Sequence, residues 1–240
     1  MKFKNEFWVI VPARSGSKSI PNKNLKKINN KPLIAYAIQA AKKNKNFKKI
    51  IFSSDSEKYF NIAKKYSNCV FHKRNKKISS DNATELQVIS DFVKNYYQSN
   101  RFLPKYIVSF RPTTPIRSNE TINKAINFFK KHSKKYSSLR SINLMSESSF
   151  KTFRIVNKKL CALSKKDFDI DRYNLSRHNY PKTYEANGII DIYKTKNILK
   201  GTLLGTKVLP FLVNDPNSDI DDLEDLKYVE YLVKKNKFKI

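Results

Sequence analysis

A five-residue apolar run, Phe7 to Val11, stops at Pro12 and opens into the basic stretch ARSGSKSIPNKNL. Aromatic and β-branched residues without polar alternation suit a strand buried on both faces, and such a strand needs a layer above it and another below. The stretch behind it carries Arg14, Lys18 and Lys23, with Ser15, Gly16 and other small polar residues that let backbone N–H groups approach an anion. With a single glycine it is neither a Walker A loop nor a dinucleotide fingerprint. Two readings stay open at this point: a phosphate cradle, or a solvated basic loop.

The pattern continues as strand and helix in alternation. Pro32 suits the first position of a helix whose apolar face is Leu33, Ile34, Ala37, Ile38 and Ala41. Ile50 to Phe52 reads as a second buried strand, followed by a helix over Glu57 to Tyr66. In ISSDNATELQVISDF, Asn82 is placed to cap a helix with Glu85 three residues on. Tyr106 to Phe110 reads as a strand, RPTTPIR as a rigid turn, and Ser118 as the cap of the next helix. Ile189 to Tyr193 and Val208 to Val213 are strand-like, and Leu223, Leu226, Val229 and Val233 fit a closing helix. Alternation of this kind predicts an α/β fold with a parallel or mixed sheet, helices on both faces and ligands beyond the carboxyl ends of the strands. Between Ser141 and Tyr184 the pattern loosens, with a turn at Asn157-Lys158-Lys159, and predicts a small protruding subdomain.

Bulk properties narrow the class. With 240 residues and 40% hydrophobic content, one globular domain is the simplest expectation. No apolar run approaches the ~20 residues of a membrane helix, and MKFKNEFW lacks a signal-peptide core, so a cytoplasmic protein is expected. Cys69 and Cys161 stand alone as free thiols, and His72, His132 and His178 share no metal spacing. The net charge of +29 raises the question of nucleic acid. Yet the lysines are spread along the chain in pairs such as Lys42-Lys43 and Lys64-Lys65, without a nucleic-acid-binding signature, so a chain-wide compositional bias accounts for them better.

Near the C-terminus, DPNSDIDDLEDL places Asp219 and Asp221 two apart. In an extended segment both carboxylates face one side and could share a hard cation, naturally Mg²⁺. The other reading gathers acids at a helix N-terminus, where Asp222 and Glu224 belong. A basic loop together with an acidic pair points to a nucleoside triphosphate bound with Mg²⁺.

The ordered set VPARSGSKSIPNKNL, SSDNATE, RPTTPIR, ANGIIDIY and SDIDDLEDL resembles the acylneuraminate cytidylyltransferase family over nearly the full length. The resemblance implies a three-layer, Rossmann-like nucleotidyltransferase domain over 1–240 with a mixed sheet, and a homodimer formed through an inserted subdomain at 141–184. It implies transfer of CMP from CTP to the anomeric hydroxyl of a sialic-acid-like nonulosonic acid, with release of pyrophosphate. On matching positions it implies that Arg14 and Lys23 contact the triphosphate, with Ser15, Gly16 and Asn24 beside them, and that Arg74, Ser80, Asp81 and Asn82 form the cytidine pocket. Arg111, Thr113, Thr114, Lys151, Arg177, Glu185 and Asn187 fall on the sugar side, and Asp219 and Asp221 on the metal. Arg177 is either a partner of the sugar carboxylate or a dimer-interface residue, and Thr113 and Thr114 either touch the sugar or fix their turn. The sequence departs from the sialic-acid pattern at Arg111, where some members have Gln, and at Glu185-Ala186, where they often have Arg-Pro. Both departures lie on the sugar side, so legionaminic or pseudaminic acid fits as well, and Kdo (the eight-carbon ulosonic acid) is the alternative sugar. A basic nucleic-acid-binding module is the rival from another class. No residue announces a general base.

Overall fold

The computed structural model describes residues 1–163, 175–214 and 218–235, the side chain at 177 excepted. Its centre is a seven-stranded mixed sheet. The strands are β1 (Lys2–Pro12), β4 (Phe47–Ser54), β5 (Val70–Lys73), β6 (Phe102–Ser109), β7 (Ser138–Leu144), β10 (Tyr184–Lys194) and β11 (Val208–Leu212), in the order β11-β7-β10-β6-β1-β4-β5. β10 alone runs antiparallel to its neighbours β6 and β7. Two small hairpins lie outside the sheet: β2 (Lys27–Ile28) with β3 (Lys31–Pro32), and β8 (Phe153–Val156) with β9 (Lys159–Ala162).

β1 is central and buried on both sides, as its run of apolar residues requires. Val9 and Val11 pack with α1 (Leu33–Lys43), α2 (Glu57–Lys64) and α4 (Asn119–His132) through Ile34, Ile38, Ala63, Ile122 and Ile126. Trp8 and Ile10 face the opposite layer, where α3 (Glu85–Asn100) and the short α5 (Thr195–Leu199) supply Ile89, Phe92, Val93 and Ile198. Alternate residues of one strand thus serve two cores, which makes the three layers. A third cluster joins Ile20, Ile28, Leu33 and Ile220 to Val229 and Leu232 of α6 (Leu223–Lys234), pinning the C-terminal segment beside the loop that follows β1.

Local details differ from the sequence reading. Pro32 is not the first helical residue of α1 but its extended N-cap. Asn82 does not cap α3; Thr84 does, in a capping box with Gln87, and Glu85 opens the helix. Ser118 caps α4 as expected, its hydroxyl accepting from the Thr121 N–H. The stretch 141–184 begins and ends inside the main sheet, since Ser141 pairs with Phe211 and Tyr184 with Leu144. What projects between them includes the β8–β9 hairpin, whose turn residues Asn157 and Lys158 both have positive φ, the geometry of a two-residue primed turn.

Candidate nucleotide-binding site

At the carboxyl end of the parallel strands lies a cleft of about 380 Å³, within the ~300–1,000 Å³ of small-ligand sites. Three connections meet there: the loop after β1, the segment between β5 and α3, and the turn after β6. Arg14, Lys23 and Asn24 come from the first, Arg74, Ser80 and Asp81 from the second, and Arg111 and Thr113 from the third. Residues distant in sequence and assigned separately are therefore brought to one wall.

The loop after β1 is held from beneath. Asp55, at the end of β4, accepts from the Ser15 N–H and hydroxyl at 2.8 Å each. The Asn24 amide donates to the Arg14 carbonyl at 2.9 Å, and Asn22, with φ 55°, turns the chain into the 3-10 turn Lys23–Leu25. Ser15 thus spends its polar groups inside the protein, and neither it nor Gly16 or Asn82 lines the cleft. Gly16 has no positive φ, and a Cβ there would meet open space, so nothing in the protein itself demands glycine.

Arg14 and Lys18 grip the two oxygens of Asp81, at 2.5 and 2.6 Å. Lys18 and then Arg14 hold the Asp81 carboxyl below the usual carboxylate range. Lys18 is mostly exposed but takes part in this cluster. Lys23 is buried and donates to the carbonyls of Ile220 and Asp221 at 2.8 and 3.0 Å, with the Asp221 carboxylate 3.5 Å away. The basic loop and the acidic segment are therefore joined by one ammonium group.

Asp219 and Asp221 do not line the cleft; their segment is tied to its lining residues Lys23 and Thr113. Ser218 and Ile220 alternate with them and are buried, while Asp219 is half-buried and Asp221 exposed, the alternation of an extended segment. Thr114 is fully buried and donates to Asp219 at 3.3 Å, and the Ile220 N–H donates to the Thr113 carbonyl at 2.9 Å. Asp222 caps α6 and receives the N–H groups of Glu224 and Asp225, so the helix-capping reading applies to Asp222 and not to Asp219 or Asp221. Among the described residues no group of three or more His, Cys, Asp or Glu could hold a metal by itself. A pair of carboxylates suits Mg²⁺, which is commonly bound by one or two carboxylates with substrate phosphates and water completing its shell.

The far wall is an ionic cluster that the sequence reading missed. Arg111 donates to Glu85 at 3.1 Å and lies 3.7 Å from Asp191, which also pairs with Arg140 at 3.1 Å. Burial would pull the Arg111 guanidinium down, but Glu85 and Asp191 together hold it above its ordinary value. Burial raises the Asp191 carboxyl against the opposing pull of Arg140. Arg117 lies completely inside, over the Phe110 ring, donating to the carbonyls of Ile189 at 2.7 Å and Arg111 at 3.1 Å. Periodicity could not reveal this cluster, because its partners come from four different elements.

The remaining sugar-side residues are not gathered here. Asn187 is fully buried: it accepts from Ser141 at 2.6 Å and donates to Asn143, holding the irregularity in β10. Gly188, beside it, has φ +67°, and a Cβ would come within 2.7 Å of Thr114 Oγ1, so glycine is required there on two counts. Lys151 ends a 3-10 turn and lies over the Tyr180 ring, next to a hollow of about 160 Å³ lined by Met145, Ser148 and His178. Glu185 is exposed on β10, opposite Asn143. The side chain of Arg177 lies outside the described residues.

A three-layer α/β domain with cationic side chains converging beyond the strand ends defines a nucleotide-binding protein by its architecture. The family model described as Cytidylyltransferase matches residues 8–238, and the chain belongs to that family of enzymes. It is 31% identical over 234 residues to the N-acylneuraminate cytidylyltransferase of Escherichia coli O18:K1:H7, covering 96% of this chain and 53% of that protein. It is 29% identical over 230 residues to the CMP-N,N'-diacetyllegionaminic acid synthase of Campylobacter jejuni, covering 95% of each. In fold it is similar to a CMP:2-keto-3-deoxy-manno-octonic acid synthetase solved with CTP, at TM-score 0.67 and 13% identity over 96% of this chain and 99% of that one.

Proposed function

We propose that this cytidylyltransferase moves CMP from CTP to the anomeric hydroxyl of a sialic-acid-like nonulosonic acid and releases pyrophosphate. The observation that carries the reading is the convergence of Arg14, Lys23, Arg74 and Asp81 on one cleft, with the Asp221 carboxylate 3.5 Å from Lys23. Relatives named for N-acylneuraminate and for diacetyllegionaminate support a nonulosonic acceptor. Arg111 and Glu185-Ala186, the departures from the sialic-acid pattern, leave a legionaminic or pseudaminic acid as open an acceptor as N-acetylneuraminate.

The reaction is an in-line displacement at the α-phosphorus, so positioning and charge neutralisation are the protein's main tasks. Arg14 would exchange the Asp81 carboxylate for a phosphate oxygen, and Lys23, fixed by the carbonyls of Ile220 and Asp221, would set the distance from phosphates to the acidic pair. Arg74, Ser80 and Asp81 would receive the cytidine, while Arg111 and Thr113 would face the sugar. Asp219 and Asp221 would hold Mg²⁺, which supplies charge stabilisation for the departing pyrophosphate. The same reading makes the chain a cytoplasmic homodimer. No helix among the described residues is long and apolar enough to cross a membrane.

Pyrophosphate release from CTP, Mg²⁺ and a panel containing N-acetylneuraminic, diacetyllegionaminic, pseudaminic and Kdo acids tests the reading. Turnover is expected with at least one nine-carbon acid, and UTP should be markedly poorer than CTP. Turnover with Kdo alone, or equal rates with UTP, would overturn it.

A further inference from the structure

Arg74, in the wall of the cleft, is the end of a buried hydrogen-bonded chain whose other members do not line it. Its Nε donates to Ser53 Oγ at 2.9 Å, Ser53 Oγ lies 2.8 Å from His72 Nδ1, and His72 Nε2 lies 2.8 Å from Asp91 Oδ2. Three elements supply it: Ser53 from β4, His72 from β5 and Asp91 from α3, with Ser53 and His72 directly opposite in the parallel register. Ser53 and His72 are buried, at 0% and 5% exposure, so neither hydroxyl nor ring can turn to solvent for another partner.

Donor and acceptor chemistry orders the chain. A guanidinium Nε can only donate, so Ser53 Oγ accepts from Arg74. With the imidazole neutral and a carboxylate on its far side, Nε2–H donates to Asp91, whose Oδ2 also accepts from Asn95 at 3.0 Å, and Nδ1 accepts the Ser53 hydroxyl. That is the Nε2–H tautomer of His72. Burial keeps its pKa below the ordinary histidine value, against the pull of Asp91 and with the help of Arg74. The Arg74 backbone is held as well, its N–H donating to the Ser54 carbonyl at 2.9 Å. Arg74 Nη2 is buried without a partner in the protein, so one edge of the guanidinium is locked while the other keeps hydrogen-bonding capacity. A planar group held through Nε has its orientation set, which is what recognition of a planar or anionic ligand group requires.

We propose that Asp91, His72 and Ser53 form a positioning relay that orients the Arg74 guanidinium for the nucleotide. The relay rests on the reading of Arg74 as a nucleotide-side residue. None of the three touches the substrate; each acts through the next.

The test is the Michaelis constant for CTP, measured beside that for the sugar and beside turnover, in H72Q, H72N, S53A and R74A. Gln cannot accept from Ser53 at the Nδ1 position, so H72Q and S53A should raise the constant for CTP about tenfold, the worth of roughly one hydrogen bond. The sugar constant and turnover should hold within about twofold, because the loss is in nucleotide binding. Asn carries an acceptor near Nδ1, so H72N should recover most of the affinity. The double variant S53A/R74A should be no worse than R74A, since residues acting through one group are not additive. If R74A raises the CTP constant while H72Q and S53A leave it unchanged, or if S53A and R74A add, the relay is wrong. If R74A leaves it unchanged, the nucleotide assignment of Arg74 fails and the relay with it. Melting temperatures identify a variant that has simply lost its fold, in which case S53A, the smallest change, decides.

Discussion

Single residues here often serve two ends, and Asp219 and Asp221 show how spacing alone fell short. Spacing puts both on one side of an extended segment, and the buried Ser218 and Ile220 agree with that. It could not show that Thr114 holds Asp219 or that Lys23 lies against Asp221, because those contacts span about a hundred and two hundred positions of the chain. If the pair holds Mg²⁺, Asp219→Asn and Asp221→Asn should each lower turnover by roughly two orders of magnitude, comparable to losing one preorganised electrostatic group. Melting temperatures should stay close to wild type. Excess Mg²⁺ should partly restore each single variant and not the double. Near-normal turnover with lowered melting would make both residues structural. Arg14, Lys23, Arg74 and Arg111 were legible because their motifs are local; Glu85, Asp191 and Arg140 were not, because a buried ion cluster leaves no periodic trace.

Among the elements, those with an apolar stripe or an apolar core run were readable and those stabilised by polar pairing were not. β1, β4 and β6 announce themselves as aromatic and β-branched runs. β7, with the sequence SLRSINL, has no apolar run to mark it as a strand, yet it is an interior strand of the sheet. Its Ser138 donates to the Leu204 carbonyl at 2.7 Å, Arg140 pairs with Asp191, and Ser141 and Asn143 share the Asn187 amide, so each polar side chain finds a partner within the protein. β5 is only four residues long and gives no pattern to read. The β8–β9 hairpin is different again. Ile155 is 77% exposed, with Val156, Leu160 and Leu163 exposed around it, an apolar patch of the kind that marks an interface. We expect light scattering at low micromolar concentration to give twice the 28.1 kDa of the chain, and Ile155→Glu to return it to the monomer mass. A wild-type monomer would remove the dimer from the account.

The whole molecule joins a parallel half, which carries Arg14, Lys23 and Arg74, to a half organised around the antiparallel strand β10, whose register shift and positive-φ Gly188 lie beside Thr114. Its net charge of +29 comes from lysines spread along the whole chain rather than from one basic segment. The central claim is that a sugar hydroxyl attacks the α-phosphorus of CTP. Phosphorus NMR of a reaction with CTP, Mg²⁺ and the preferred nonulosonic acid tests it most directly. The account predicts equimolar pyrophosphate and one new phosphodiester resonance, the CMP-sugar, with no CDP. CDP with a phosphomonoester or inorganic phosphate would place the attack at the γ-phosphorus and contradict it.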